Sequence, residues 1–342
     1  MESEPRIVPT DDFWSRRSNA QTHAFECAPY GIQAIITANE RGVLSAAQLS
    51  ARRYSTVTSR IGQAASRTIR MQIVVTHDDA PPPPADLASH LKYTGLDEWI
   101  MLSAGGWGHS FANLETRRAC LALSPALAID TRFVSRYFID HYVLNLMLTE
   151  WAMLHASCVM DAARRRLILM VATHNTGKST TALQLVRAGY AFLADGMATI
   201  RVEDDQLQVG GYPLGEVKLR GDVLAQFADY AGESVLVREQ QKTIIDLRAA
   251  HPDRVIEHLV SPEAFDLCFV ERHDAEDTRR SPIGIGAALS VVAANTVFWN
   301  EAAKLEHNTR TLHRLLRVAR LHHMQLGRDP ERLVAAFQRL AG

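Results

Sequence analysis

The sequence is poor in cysteine, and the four cysteines that it has lie far apart, at Cys27, Cys120, Cys158 and Cys268. No two of them form a CxxC pair, which argues against a zinc ribbon or a dense disulfide framework. Isolated thiols of this kind are typical of proteins that fold in a reducing compartment. We therefore expect reduced, structural cysteines and a cytoplasmic location.

Long apolar runs are also missing. The best candidate for a membrane span, residues 138–153, is broken by Asp140, His141, Asn145 and Glu150, whereas a spanning helix needs about 20 mostly apolar residues. The first residues, MESEPRIVPTDDFW, are polar and acidic and do not have the basic and apolar regions of a signal peptide. We expect no membrane partner.

Charge of one sign is not in excess, because 37 Lys and Arg residues face 38 Asp and Glu residues. A near-neutral chain has no general attraction for nucleic acid, so we expect no nucleic-acid partner. Apolar residues make up 47% of the chain, as in ordinary globular proteins. The 342 residues exceed one average domain, and we expect two.

Apolar periodicity predicts mostly strands at first and helices at the end. In the first part we predict strands at 31–38, 68–75, 98–102, 109–115 and 119–124. A long buried helix is predicted at 131–153, and the domain boundary is placed at its start, which gives domains 1–130 and 131–342. In the second part we predict strands at 154–160, 167–171, 197–202, 206–209, 243–247 and 265–270. Helices are predicted at 178–188, 285–299, 304–325 and 330–340.

The most informative segment is LILMVATHNTGKSTTALQL, residues 167–185, in which an apolar strand leads through a tight turn into a helix. Backbone amides at a helix N-terminus bind phosphate, and a lysine adds a cation. The segment therefore predicts ATP binding, in which Lys178 reaches the β- and γ-phosphates and Ser179 coordinates Mg²⁺. The predicted nucleotide-binding residues are Asn175, Thr176, Gly177, Lys178, Ser179 and Thr180.

The usual phosphate-loop pattern is not complete here. Ala172 stands where the first glycine is expected, and Asn175 where a further glycine is common. Asparagine tolerates left-handed backbone dihedrals better than most residues, so the second change is mild. The alternative is a plain strand–turn–helix with an exposed Lys178.

Two motifs around this loop resemble the catalytic domain of HPr kinase/phosphorylase. His155 lies in LHASCV before the loop and Asp195 lies in FLADG after it. The pattern looks most like the HPr-kinase-like proteins found with peptide-modification genes, including lasso-peptide kinases. Weaker matches are GYPL at 211–214, VKLR at 217–220, KTIIDL at 242–247 and GRD at 327–329. The resemblance implies an α/β fold: a P-loop catalytic domain of the HPr-kinase and PEP-carboxykinase type after a small N-terminal α/β domain.

The resemblance also implies roles for individual residues. Asp195 would be the general base and a magnesium contact, and His155 would touch the substrate or a nucleotide phosphate. A turn aspartate and a packed histidine are the alternatives. Gly196 replaces the second aspartate of the family, and Lys218 stands where HPr kinases have a glutamate. Lys242 would contact phosphate, or it is a solvated lysine at the start of a strand.

Together these residues predict an ATP- and Mg²⁺-dependent kinase that phosphorylates a hydroxyl, most simply a serine, of a peptide or protein. Lys178, Asp195 and His155 would be its catalytic residues. The departures at Ala172, Asn175 and Gly196 favour a second hypothesis, a nucleotide-binding pseudokinase that scaffolds a peptide. A third is a kinase for a small hydroxylated metabolite. The sequence does not specify the acceptor, the oligomeric state or a reverse phosphorylase activity.

The predicted helix 304–325 is amphipathic, and we expect a solvated basic face on it that carries Arg310, Arg314, Arg317 and Arg320. Its sharper interpretation is a docking face for an acidic peptide or for phosphates. Four histidines in or near this helix are expected at the surface: His307, His313, His322 and His323.

Overall fold

The computed structural model describes residues 22–56, 68–77, 80–173, 175–230, 232–237, 240–296 and 302–341. The described chain is mixed α/β, with several sheets, and divides into two compact units. One unit contains the residues up to Arg52 and those from 68 to 146, and the other contains 53–56 and the residues from Met147 onwards. Residues 131–146 thus group with the first unit, whereas the sequence placed a boundary before them. The domain bounds 1–130 and 131–342 stay a prediction.

The first unit is built on a seven-stranded sheet in the order β1-β2-β3-β7-β6-β5-β4. Its strands are β1 (His23–Cys27), β2 (Ala34–Ala38), β3 (Ile69–Val75), β4 (Lys92–Leu96), β5 (Trp99–Ser103), β6 (Gly108–Asn113) and β7 (Arg118–Leu123). Its helices are α1 (Leu44–Ala51) and α2 (Asp140–Met147), with short helical turns at Pro29–Gly31, Leu87–His90, Gly105–Trp107, Pro125–Ala128 and Thr131–Phe133.

Alternation of apolar and polar residues explains these strands. In β3 every second residue is buried, from Ile69 to Val75, because successive side chains point to opposite faces of a sheet. Strands β2 and β3 are parallel, as are β3 and β7, and the other neighbours are antiparallel. The five strands predicted for this part of the chain correspond to β2, β3, β5, β6 and β7, whereas β1 and β4 were not predicted.

The helix predicted at 131–153 is shorter and less regular than expected. It starts with the turn Thr131–Phe133, continues as a π-helix over Val134–Ile139 and ends with α2 at Met147. Residues Ala152–Leu154 instead form a strand that pairs with a later one. All three are buried, and an apolar run buried on all sides gives no period that separates strand from helix.

The described part of the second unit contains three sheets. Its strands are β8 (Ala152–Leu154), β9 (Ala156–Asp161), β10 (Arg166–Val171), β11 (Ala191–Asp195), β12 (Met197–Glu203), β13 (Gln206–Tyr212), β14 (Glu216–Arg220), β15 (Gly232–Val237), β16 (Gln240–Asp246), β17 (Ala264–Arg272), β18 (Arg279–Pro282) and β19 (Arg320–Leu326). Its helices are α3 (Lys178–Arg187), α4 (Ile285–Ala294), α5 (Ala302–Val318) and α6 (Pro330–Gln338). Short helical turns lie at Ala162–Arg164, Gly221–Leu224, Ala225–Phe227, Leu247–Ala250, Pro252–Arg254 and Arg339–Ala341.

The six-stranded sheet β11-β9-β10-β17-β19-β18 is the centre of this unit, and the sheets β13-β12-β8 and β14-β16-β15 accompany it. Strand β10 lies between β9 and the parallel β17. Its residues Ile168 and Met170 belong to a core with α3 and α6, while Leu167, Leu169 and Val171 belong to another core with α5. Burial on both faces explains why this strand is an unbroken apolar run.

Three residues that follow α1 in the sequence, Arg53, Tyr54 and Ser55, belong to the second unit and contact its later residues. The Tyr54 ring stacks on Tyr212, with centroids 5.2 Å apart. The Ser55 hydroxyl accepts a hydrogen bond from the Gly211 amide at 2.9 Å. Arg53 forms an ion pair with Glu216 at 2.9 Å, and both side chains are largely buried. The second unit is therefore discontinuous in sequence.

The helix predicted at 304–325 ends early, at Val318, and this prediction was wrong beyond that point. Residues Arg320–Leu326 form β19, which pairs in parallel with β17. His322, Met324 and Leu326 alternate as buried residues. The buried carboxylate of Asp266 in β17 binds Arg320 Nε at 3.0 Å and His322 Nε2 at 2.8 Å. This pairing offsets the cost of burying the charge, and it fixes the strand.

Two surface predictions change with that strand. Arg320 is not part of the helical basic face, which in α5 contains Arg310, Arg314 and Arg317, and His322 is buried. The opposite face of α5 buries Leu312, Leu315 and Leu316, as its amphipathic pattern predicts. Among the described residues, no helix is long and apolar enough to cross a membrane.

Candidate active site

One cleft in the second unit contains all the residues predicted for nucleotide binding and catalysis. It has a volume of about 410 Å³ and lies at the N-terminus of α3. Its lining is polar and rich in cations: His155, Asn175, Thr176, Gly177, Lys178, Ser179, Thr180, Asp195, Gly196, Lys218, Leu219, Arg220, Val223, Lys242 and Arg272. Residues far apart in sequence, such as His155 and Asp195, therefore meet at the predicted phosphate loop.

The loop follows β10 and turns into α3 with two residues in the left-handed region. Asn175 has φ +64° and Gly177 has φ +99°. The tolerance of asparagine for such dihedrals explains why a glycine is not needed at 175. A Cβ at Gly177 would lie 3.3 Å from Leu326 Cδ1, so glycine is favoured there by both conformation and space. The helix then starts at Lys178, as predicted, and the amides of its first turn have no carbonyl partners within the helix.

Lys178 is held against its own loop. Its Nζ donates hydrogen bonds to the carbonyl oxygens of Ala172 at 2.8 Å and Thr173 at 2.9 Å. Only 8% of the residue is exposed. An ammonium has three donors, so one is left for a phosphate oxygen. The contact to Ala172 uses a backbone carbonyl, and Ala172 has no positive φ, so glycine is not required there.

Burial lowers the pKa of Lys178 below its ordinary value, because desolvation disfavours the ammonium. The carboxylate of Asp195 opposes this shift, and the positive charge of Lys242 adds to it. Lys178 thus stands in a cleft where cations outnumber anions. A bound phosphate would compensate that excess of positive charge.

Asp195, the last residue of β11, is 7% exposed and accepts three hydrogen bonds. Its Oδ1 accepts from the Ser179 hydroxyl at 2.9 Å and from the hydroxyl of the fully buried Ser157. Its Oδ2 accepts from the backbone amide of Lys218 at 3.3 Å. These donors fix the orientation of the carboxylate, with one oxygen toward the loop and the other toward β14.

Ser179 and Asp195 have a geometry that fits Mg²⁺. An octahedral ion with oxygen ligands at 2.0–2.1 Å separates adjacent ligands by about 2.9 Å, and Ser179 Oγ lies 2.9 Å from Asp195 Oδ1. No group of three or more His, Cys, Asp or Glu residues that could hold a metal occurs in the described part of the chain. Mg²⁺ needs only one or two carboxylates when substrate phosphates and water complete its shell. The donor set fits the ion on that condition.

His155 lies in the break between β8 and β9. Its backbone amide donates to the Asn295 carbonyl at 2.7 Å, and its Nδ1 lies 3.3 Å from Asn295 Oδ1. The Asn295 amide group donates to Val291 at 2.9 Å, which turns its Oδ1 toward the imidazole. In the neutral ring Nδ1 therefore carries the proton and Nε2 is the acceptor nitrogen. Asn295 thus sets the orientation of His155, a role that no sequence motif indicated.

Gly196 stands where the resemblance implies a second aspartate. A Cβ at this position would lie 3.0 Å from the Tyr212 carbonyl oxygen and 3.1 Å from Pro213 Cδ. The neighbouring backbone therefore leaves little room for a side chain. The site therefore has a glycine in place of a second carboxylate at this position. The absence of a side chain allows the end of β11 to pack closely against the end of β13.

The structure adds residues that the sequence reading did not assign to the site. Ser157 lies in the LHASCV motif, but no role was predicted for it. Arg220 and Arg272 line the cleft at the ends of β14 and β17. The position of Arg272 could have been inferred, because ligands bind at the carboxyl ends of parallel strands and β17 runs parallel to β10.

Comparison with known proteins adds little to this picture. No family model matches the chain, and no curated protein matches it. Among solved structures it is similar to the Hpr(Ser) kinase/phosphatase from Coxiella burnetii, with 15% identity and a TM-score of 0.27. The similarity covers 55% of this chain and 97% of that one. A likeness this weak carries no argument, and membership of the HPr kinase/phosphorylase-like family stays a prediction.

Proposed function

We propose that this chain is an ATP-dependent kinase that transfers a phosphoryl group to a hydroxyl, a serine in the simplest case, of a peptide or protein. One observation supports the proposal most directly. Lys178 and Ser179 begin a helix that follows a buried strand through a short loop, and the carboxylate of Asp195 is hydrogen-bonded to Ser179 in the same cleft. A cation, a metal ligand and a base are the parts that phosphoryl transfer needs.

In this proposal the loop holds the nucleotide. The amides of Thr176 to Ser179 and the third donor of Lys178 bind the β- and γ-phosphates. Mg²⁺, bound by Ser179 and Asp195, would neutralise charge on the phosphates. Arg272 adds a cation on the loop side of the cleft.

Asp195 would also accept the proton of the attacking hydroxyl. Its Oδ1 points to Ser179, which leaves Oδ2, beside the Lys218 amide, as the proton acceptor. His155, oriented by Asn295, would contact the substrate or a phosphate through Nε2. We place the reaction in the cytoplasm, where isolated and reduced thiols such as the free cysteines of this chain are typical.

A nucleotide-binding pseudokinase is the second candidate, and Gly196 favours it. With a single carboxylate among the described residues of the cleft, Mg²⁺ would be held by fewer protein ligands than the family pattern implies. Such a protein would bind ATP through Lys178 but would not turn it over. A kinase for a small metabolite would bind and turn over ATP with a different acceptor.

Incubation with labelled ATP, Mg²⁺ and peptides encoded beside the gene tests the proposal, with small hydroxylated metabolites as a parallel set. We expect label on a serine of one peptide with the wild type and at least a hundredfold less with Asp195→Asn. ATP binding without transfer to any acceptor would favour the pseudokinase. Transfer only to a metabolite would overturn the peptide acceptor.

A further inference from the structure

We propose that the phosphoryl acceptor carries an anionic group, a carboxylate or a phosphate, close to its hydroxyl, and that Lys218, Arg220 and Lys242 bind it. This inference rests on the proposed kinase function and specifies its substrate class. It follows from the number of cations in the cleft, their arrangement on β14 and β16, and what they contact.

The cleft has more positive charge than a nucleotide requires. Among the described residues it is lined by one carboxylate, that of Asp195, and by five cationic side chains: Lys178, Lys218, Arg220, Lys242 and Arg272. A triphosphate with bound magnesium retains about two net negative charges. Nucleotide binding therefore leaves an uncompensated excess of cations, which a second anion would neutralise.

Three of these cations share one face of a small sheet. Lys218 and Arg220 are two residues apart on β14, so their side chains leave the same face of the strand. Lys242 on β16 lies directly opposite Arg220 in the antiparallel register. The backbone amide of Lys218 is bonded to Asp195 Oδ2, which places this basic face beside the proposed proton acceptor.

The other two cations are on the nucleotide side. Lys178 belongs to the loop, and Arg272 pairs with Leu326, whose Cδ1 lies 3.3 Å from the Cβ position of Gly177. The cleft thus separates into a loop side with Lys178 and Arg272 and a sheet side with the three cations on β14 and β16. The acceptor has to approach from the sheet side to bring its hydroxyl to Asp195.

Two of the sheet-side cations, Arg220 and Lys242, form no ion pair with a buried carboxylate among the residues that the structure describes. The backbone of Lys242 pairs with its neighbours in the sheet, but its side chain forms no hydrogen bond or ion pair with any residue that the structure describes. Arg220 is paired with Asp222, whose side chain is 57% exposed, and exposed pairs of this kind contribute little. Like charges directly opposite each other destabilise a pair of strands, so an anion bound between Arg220 and Lys242 would relieve their repulsion.

Calorimetry on the full chain can test this with inorganic phosphate as the probe. The protein is first saturated with Mg²⁺ and a non-hydrolysable ATP analogue, which occupies the loop side. We expect phosphate to bind still, and Lys242→Gln to weaken that binding by about tenfold or more, since one charge-assisted contact is lost. Lys242→Arg should restore it. Arg310→Gln, which removes an exposed cation of α5, is the matched control and should change nothing.

The outcomes separate the two proposals. If the analogue abolishes phosphate binding, or if Lys242→Gln weakens the analogue as much as the phosphate, the sheet-side site does not exist. If the wild type does not bind the analogue, the kinase proposal itself has failed. Matched serine peptides with Glu or Gln beside the serine, and small hydroxy acids, then identify the source of the anion. Equal turnover of the Glu and Gln peptides, with no hydroxy acid accepted, would overturn the inference.

Discussion

Asp195→Asn separates the chemical role of this residue from its structural one. The carboxylate accepts hydrogen bonds from Ser157, Ser179 and the Lys218 amide. An asparagine can keep all three contacts if its carbonyl oxygen faces the Lys218 amide and its NH₂ faces the two serine hydroxyls. Those hydroxyls can rotate from donor to acceptor, whereas the backbone amide cannot. The variant is therefore expected to fold.

The stability and rate effects of Asp195→Asn should differ in size. A hydrogen bond to a charged group stabilises by about 1 kcal/mol more than one between neutral groups. Relief of carboxylate burial offsets part of this difference, so the free energy of unfolding should fall by only about 1–2 kcal/mol. Loss of the proton acceptor should lower the rate about 10²- to 10⁴-fold, or roughly 3–5 kcal/mol in activation free energy.

The rate is measured as phosphorylated product over time with one verified acceptor. The free energy of unfolding is measured by denaturant unfolding of the same samples. Asp204→Asn is the matched control, because Asp204 is exposed in the turn after β12 and its positive φ suits asparagine. Ser157→Ala removes one donor but keeps the carboxylate, so we expect a loss of only about tenfold. Equal rates for wild type and Asp195→Asn would refute the general-base assignment and make the residue structural.

Three further predictions concern the loop and the histidine. Lys178→Met should weaken ATP binding about tenfold to a hundredfold in calorimetry. Burial lowers the pKa of Lys178 below its ordinary value of 10.5. As the pH is raised, the wild-type ATP affinity should therefore begin to fall before pH 10.5 is reached, because the ammonium loses its proton. The Met variant should not show this fall. Gly177→Ala should destabilise by about 1–2 kcal/mol in denaturant melts because of its φ of +99° and the contact to Leu326, and should impair ATP binding. Gly189→Ala, at φ +104° but outside the cleft, should lower stability without changing ATP affinity. His155→Ala should reduce turnover less than Asp195→Asn, and an equal loss would contradict a positioning role.

The local parts of the site could be predicted from the sequence because local patterns encode them. An apolar strand followed by Gly177 and Lys178 specifies a strand–loop–helix, and the structure has that order at the predicted residues. His155 and Asp195 were placed near the loop only through the resemblance to HPr kinases. Their meeting in one cleft agrees with that placement, and their roles stay predictions.

The missed parts depend on contacts between distant segments. Strand β19 begins two residues after α5 ends. The alternation of buried His322 and Met324 is too short to be recognised as a strand in the sequence beside the preceding helical pattern. The pairing of this segment with β17 and its ion pair to Asp266 stabilise it as a strand. In the same way, Arg220 and Lys242 face each other only through the register of β14 and β16, which a single sequence does not reveal.

The discontinuity of the second unit has a consequence for biosynthesis. Tyr54 and Arg53 emerge from the ribosome before all of the first unit's later strands, while their partners Tyr212 and Glu216 are made much later. The second unit can therefore complete its folding only when residues 53–56, which are synthesised before the later strands of the first unit, pack against residues that are synthesised after that unit. A fragment that starts at residue 147 would lack that segment. Its β14, which begins at Glu216 and carries Lys218 and Arg220, would lose a largely buried ionic anchor.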